Sequence, residues 1–149
     1  MNNLKLNEIQ RQVLIDNAQA LLGIPYKMGA KATRDIIPAD IQHLDCSGLT
    51  KYCFDKIAID IPDGSINQYN ASKEIDTVNI DTGDLAFKKT HDTGIIEHVA
   101  LIVIVNGLIN VIEAEAWYGK VIMRTLELFK TNKPNASQFA GVRRLNFFL

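Results

Sequence analysis

Residues 98–114 constrain the fold more tightly than any other stretch of this chain. Two apolar runs, 98–105 and 108–114, are separated by Asn106-Gly107, the dipeptide that best tolerates the two positive φ angles of a type I′ turn. They predict an antiparallel hairpin in which Val105 faces Leu108. Both faces of each run are apolar, so neither can look onto water, and the hairpin belongs at the centre of a covered sheet.

The cover comes from the N-terminal half. Ile9, Val13, Leu14, Ala18, Leu21 and Leu22 recur at spacings of three and four, which predicts a helix over 8–22. Asn7 caps it with Gln10 reaching back, and Gly23 and Pro25 stop it. Residues 26–45 carry Gly29 and Pro38 without a clean period and read as an irregular loop that delivers the chain to Cys46. A second helix is predicted over 47–58, broken by the turn chemistry of Ile61-Pro62-Asp63-Gly64, and a short helical turn over 65–73.

From there the character is β. Asp81-Thr82-Gly83-Asp84 makes a turn, 85–87 a short strand and 88–94 a polar loop before the hairpin. Strands follow over 120–125 and 140–146, with a turn or short helix over 126–130 between them. Helices first and strands after, joined by hairpins, argue an α+β fold in which N-terminal helices pack on a mostly antiparallel sheet.

With 149 residues and 47% hydrophobic content, residues 1–149 are expected to form one domain with a real core. Sixteen basic against 17 acidic residues, net −1, leave no electrostatic footprint for nucleic acid. The N-terminal residues lack the apolar stretch of about 7 to 15 residues that a secretory signal needs, and no run is long enough to span a bilayer. The expectation is synthesis in the cytoplasm without a signal peptide. Asn70-Ala71-Ser72 and Asn135-Ala136-Ser137 match the glycosylation triplet but carry little weight without such a signal. Metal-site and phosphate-cradling motifs are absent, and no cofactor is expected.

The two cysteines, Cys46 and Cys53, fall in one predicted helix, separated by about 10 Å of rise. A disulfide needs Cα atoms within about 7 Å, so both thiols are expected free. Cys53 shares a stripe with Leu49 and Ile57 and reads as core. Cys46 differs, because Asp45-Cys46-Ser47-Gly48 puts it in the first turn of the helix, where the macrodipole and unpaired N–H groups favour a thiolate over a thiol.

A cysteine nucleophile needs a base and a third group to orient the base. His43 and His91 lie in loops and read as solvated, whereas His98 opens a strand and projects from a rigid element at the sheet edge. Counting back from the turn puts Glu115 opposite His98 and Glu113 diagonally adjacent on the same face. Either carboxylate can accept an Nδ1–H bond and fix the tautomer. Glu113, flanked by Ile112 and Ala114, is expected to have a partner, since burial without one is costly.

Several short stretches then fall into a familiar order: Gly23-Ile24-Pro25-Tyr26 with Gly29, Asp45-Cys46-Ser47-Gly48-Leu49, Ile61-Pro62 with Gln68-Tyr69, Gly83-Asp84-Leu85-Ala86-Phe87, His98-Val99-Ala100, and Gly141-Val142-Arg143-Arg144. Together, from about residue 15 to 145, they resemble the NlpC family of papain-like cysteine peptidases that cut bacterial cell-wall peptides. The resemblance implies a papain-like α+β fold with Cys46 as nucleophile, His98 as base and Glu113 as the third residue, at a position the family commonly fills with histidine. It also implies Tyr26 beside the nucleophile, with Asp45 and Ser47 helping to bind the stem peptide of peptidoglycan. Ala30 replaces the second glycine of the usual Tyr-x-x-Gly-Gly, which reshapes the cleft.

The expected function is therefore a thiol protease acting on peptidoglycan stem peptides through a Cys-His-Glu triad and a thioester. Its setting would be a phage lysis or tail enzyme, an injected effector, or recycling of wall peptides. The alternatives are a papain-like amidase or acyltransferase on another substrate, or a catalytically silent binding module. An immunity or phage partner protein stays open.

Overall fold

A computed structural model of the chain describes residues 5–131 and 137–148. Residues 1–4 of the N-terminal reading and Asn135-Ala136 of the second glycosylation triplet lie outside the described residues. The elements run in the expected order, helices before sheet: α1 (Glu8–Ala20), α2 (Cys46–Asp55), α3 (Ser65–Asn70), β1 (Ser72–Glu74), β2 (Leu85–Lys89), β3 (Ile96–Val105), β4 (Leu108–Glu115), β5 (Lys120–Thr125), α4 (Leu126–Phe129) and β6 (Gln138–Leu145). The six strands pair antiparallel in the order β1-β6-β2-β3-β4-β5.

The hairpin sits where its apolar faces require, with β3 between β2 and β4. Asn106 and Gly107 have φ of 53° and 76°, the two positive angles of the tight turn, and Val105 pairs with Leu108. Alternate residues feed two cores. Val99, Leu101, Val103 and Ile112 pack with Leu14, Leu49, Cys53 and Phe54 of α1 and α2 and with Leu21 just beyond α1. On the other face Ala100, Ile102 and Val111 pack with Ala86, Val142, Leu126 and Phe129.

Local chemistry explains the helix ends. Asn7 accepts from the Gln10 backbone at 2.8 Å while the Gln10 side chain accepts from the Asn7 backbone at 3.0 Å, a capping box. α1 stops at Ala20, short of residue 22. α2 ends at Asp55 rather than 58, because the chain tightens through Ala58 N–H to Asp55 O and Ala58 turns left-handed at φ 60°. No glycine marks that exit.

Three sheet features differ from the sequence expectation. The predicted helical turn over 65–73 gives way after Asn70 to β1, paired with β6. Lys88 and Lys89, read as loop, continue β2, since strands on both sides satisfy their backbone across a bulge. His98 does not open a strand at an edge: it is the third residue of an interior strand, opposite Lys88 and buried.

Candidate active site

Cys46 is the first residue of α2, and the chain before it is pinned at several points. Asp45 is the N-cap: its Oδ1 accepts the Gly48 N–H at 2.7 Å, and its own N–H donates to Ala30 O at 3.0 Å. Gly48 has to be glycine here, since a Cβ would stand 2.6 Å from Ala30 O and 2.8 Å from Asp45 Oδ1. The loop thus lies flat on the first turn of α2 and leaves the Cys46 thiol partly exposed.

The same loop carries Tyr26. Gly23 N–H bonds Val121 O at 3.0 Å and Tyr26 N–H bonds Gly119 O at 2.8 Å, so residues 23–26 lie along β5. A second pairing, Tyr26 with Leu44, ties this segment to the stretch just before Cys46. Tyr26 is accordingly close to Cys46. Its phenol is raised above the ordinary 10.0 by burial, then by the negative charges of Cys46, Asp45 and Glu115.

Strand β3 brings His98 to Cys46, and β4 brings Glu113 to His98. Glu113 Oε1 lies 2.9 Å from His98 Nε2, and Glu113 is fully buried. The bond uses Nε2, not the Nδ1 expected from the sequence, so Nδ1 is the nitrogen left for the thiol. Burial alone would lower the His98 pKa. The Cys46 side chain near the ring and the Glu113 carboxylate more than reverse this and raise it to about 9.

Glu115, the alternative third residue, is turned away: its Oε2 accepts the Tyr118 N–H at 3.1 Å. The β3–β4 register runs from Val105–Leu108 to Leu101–Ile112, in step with the turn count, but the paired residues stop short of His98 and Glu115, and the contact goes to the diagonal Glu113. His43 is exposed, and His91, also exposed, faces only Asp92.

Two residues that sequence reasoning missed complete the electrostatics. Arg124 of β5 donates from Nε to Glu113 Oε2 at 2.7 Å and from Nη2 to Oε1 at 3.1 Å. Burial would raise the Glu113 pKa, but the His98 and Arg124 hydrogen bonds hold it below the ordinary 4.5. The signal was available in principle. Counting β5 back from its turn puts Arg124 opposite Val111, diagonal to Glu113 on the same face.

Lys31 is the other. Its ammonium lies 2.7 and 2.8 Å from the two Asp45 carboxylate oxygens and 2.8 Å from Ser47 Oγ. Asp45 and Ser47, expected to meet substrate, are thus buried and turned to a cation of the same chain. Nothing in the aperiodic loop marked Lys31 apart from its neighbours. Among the described residues no group of three or more His, Cys, Asp and Glu gathers to hold a metal, and no helix is long and apolar enough to cross a membrane.

Residues 23–135 match the model of the NlpC/P60 family. The peptidoglycan endopeptidase RipB of Mycobacterium tuberculosis is 31% identical over 115 residues, covering 74% of this chain and 45% of RipB. The gamma-DL-glutamyl hydrolase of Bacillus subtilis is 32% identical over 84 residues, 56% of this chain and 19% of that protein. The chain therefore spans less than half the length of these curated relatives. The solved structure of RipB superposes with a TM-score of 0.66 at 26% identity, covering 91% of this chain and 64% of that one. RipD of M. tuberculosis, described as a non-catalytic NlpC/p60 domain protein adapted to peptidoglycan binding, shares the fold with a TM-score of 0.65 at 18% identity, over 91% of this chain and 95% of that one. The α+β, papain-like arrangement of helices and antiparallel sheet is common to them, and this chain belongs to the NlpC/P60 family.

Proposed function

We propose that the protein is a cysteine peptidase that hydrolyses peptide bonds in peptidoglycan stem peptides, with Cys46 as nucleophile, His98 as base and Glu113 as the residue that orients the base. The observation that carries this reading is the hydrogen bond between His98 and a fully buried Glu113, with the Cys46 side chain acting on the same imidazole. Membership of the NlpC/P60 family and the named activity of RipB support the substrate class.

In this reading His98 takes the Cys46 proton and the thiolate attacks the peptide carbonyl. The resulting oxyanion faces backbone N–H groups at the start of α2, of which that of Gly48 is already given to Asp45, and the Tyr26 hydroxyl. Such a donor contributes about 3 kcal/mol in comparable sites. Collapse of the tetrahedral species breaks the C–N bond, the imidazolium protonates the leaving amine, and a Cys46 thioester remains. Water, deprotonated by His98, then releases the carboxylic acid and restores the thiol. Glu113 holds the ring in both of its protonation states and stays ionised because Arg124 shares its carboxylate.

RipD shows that a chain of this fold can bind peptidoglycan without turnover. The nearness of Cys46, His98 and the Glu113 carboxylate supports turnover over binding alone. Delivery with a phage or as an injected effector belongs to the same proposal, and a neighbouring holin, tail or immunity gene would support it. The functional test is release of peptide fragments from purified peptidoglycan, expected from the wild type and lost in Cys46→Ala. Undiminished release by that variant overturns the reading.

A further inference from the structure

Phe129, the last residue of the short helix α4, is fully buried on the face of the sheet marked by Ala86, Ala100 and Val111. Alternation puts Lys88, His98 and Glu113 on that same face, each two residues along its strand from one of those three, and Arg124 stands opposite Val111. Positive charge is in surplus there. Glu113 is already shared by His98 and Arg124, while the half-buried Lys88 ammonium has neither a hydrogen bond nor an ion pair among the described residues. Burial, and then the Arg124 charge, lower the Lys88 pKa.

One ring meets all three basic side chains. Lys88 Nζ lies 4.7 Å from the Phe129 centroid, the Arg124 guanidinium carbon 5.4 Å, and the His98 ring centroid 6.0 Å with its plane tilted by 30°. A phenyl face carries the negative part of the ring quadrupole and attracts a cation within about 6 Å, most strongly where water is excluded. The ring is itself held in place. Phe139 packs edge to face with it at 6.1 Å and 89°, and Lys130 N–H closes the turn of α4 onto Leu126 O at 2.9 Å.

The charged and titratable groups about the imidazole are Cys46 from α2, Lys88 from β2, Glu113 from β4 and Arg124 from β5. Glu97 on β3 itself is turned to Ser137, and Glu127 of α4 is exposed and paired with Lys130. We propose that Phe129 is a positioning residue for the base: its face holds the protonated His98 ring in place beside two permanent cations that would otherwise drive the proton off. This rests on the peptidase reading and gives the ring an electrostatic task apart from filling the core. In that reading the imidazolium protonates the leaving amine, so the contribution of Phe129 falls on kcat rather than on KM.

The test replaces Phe129 by 4-fluoro-, 3,5-difluoro- and 3,4,5-trifluorophenylalanine, which drain the negative face in steps at nearly constant shape, and by leucine, which keeps the burial and removes the face. The midpoint of the His98 ring titration, read by NMR with the exposed His43 and His91 as references, should fall step by step. Over the series the fall should reach about 0.5 to 1 pH unit, the scale of a desolvated cation–π contact. The alkaline limb of kcat for stem-peptide hydrolysis should move down with it, while KM stays within about twofold.

A His98 midpoint that stays put across the fluorine series overturns the proposal, even where Phe129→Leu is inactive or unfolded, because the ring then only fills space. So does a fall in Phe129→Leu with no gradation among the fluorinated proteins. Failure of the wild type to cleave stem peptides defeats the peptidase reading, while the NMR titration still decides whether the ring holds the charged imidazole.

Discussion

His98 Nε2 and Glu113 Oε1 stand 2.9 Å apart across the β3–β4 hairpin, and the same carboxylate takes two hydrogen bonds from Arg124. One buried carboxylate thus serves two cations. Its charge is satisfied by two protein partners, and the imidazole it holds is the one on which the Cys46 side chain also acts.

Removing that carboxylate leaves two buried cationic groups facing each other. Glu113→Ala is expected to lower stability by about 3 kcal/mol, the scale for breaking a buried ion pair from one side. Glu113→Gln keeps the shape and should cost less stability while still cutting kcat. Denaturant midpoints and stem-peptide hydrolysis, measured on both variants, check the split. Equal kcat in wild type and Glu113→Gln would remove Glu113 from the site.

The pH dependence follows from the direction of two shifts. His98 is raised from 6.5 to about 9, so the stability its protonation contributes is fully present below about 6.5 and lost as pH rises through about 9. Glu113 is lowered from 4.5, so its contribution is present above that value and lost as pH falls through the lower folded one. Activity that depends on a protonated His98 should accordingly persist up to about pH 9 and fall above. In Glu113→Gln the alkaline limb should move to lower pH. A pH–rate profile on both proteins decides this, and an unmoved limb speaks against the coupling.

The two thiols should differ in reactivity. Cys53 is fully buried, and burial pushes it up to about 12, whereas Cys46 is partly exposed at the start of α2. Iodoacetamide is expected to label Cys46 alone in the native protein and both cysteines after denaturation, as read by peptide mass spectrometry. Native labelling of Cys53 at a comparable rate would mean that the core around α2 opens.

The hairpin, both helix starts and the place of Cys46 at the head of a helix were legible in the sequence because each rests on local rules, whereas the choice of Glu113 over Glu115 came from the family resemblance and not from the turn count. A two-residue turn sets register, alternation sets faces, and an N-cap marks where a helix begins. What stayed hidden depends on partners distant in sequence. Strand β1 is three residues long and exists through β6, some 70 residues later, and Lys88 and Lys89 are strand because β3 and β6 flank them. Ala58 ends its helix left-handed without the glycine that usually signals it. Lys31 lies in a loop with no period, and only the folded path puts its ammonium between Asp45 and Asp63.

Gly48 tests the packing of that loop. In Gly48→Ala the new Cβ would meet Ala30 O at 2.6 Å, and backbone cannot yield as a side-chain tip can. A loss of about 1–3 kcal/mol is expected, the usual cost of overpacking, with a larger relative loss of activity because the shifted loop carries Tyr26. Thermal unfolding and kcat/KM measured together check both halves.

The central claim is that Cys46 is the nucleophile. Its most direct test is mass spectrometry of a defined stem peptide incubated with wild type, Cys46→Ala and Cys53→Ala. Cleavage by the wild type and by Cys53→Ala, with none by Cys46→Ala, is the expected result. Cleavage by Cys46→Ala at the wild-type rate would contradict it.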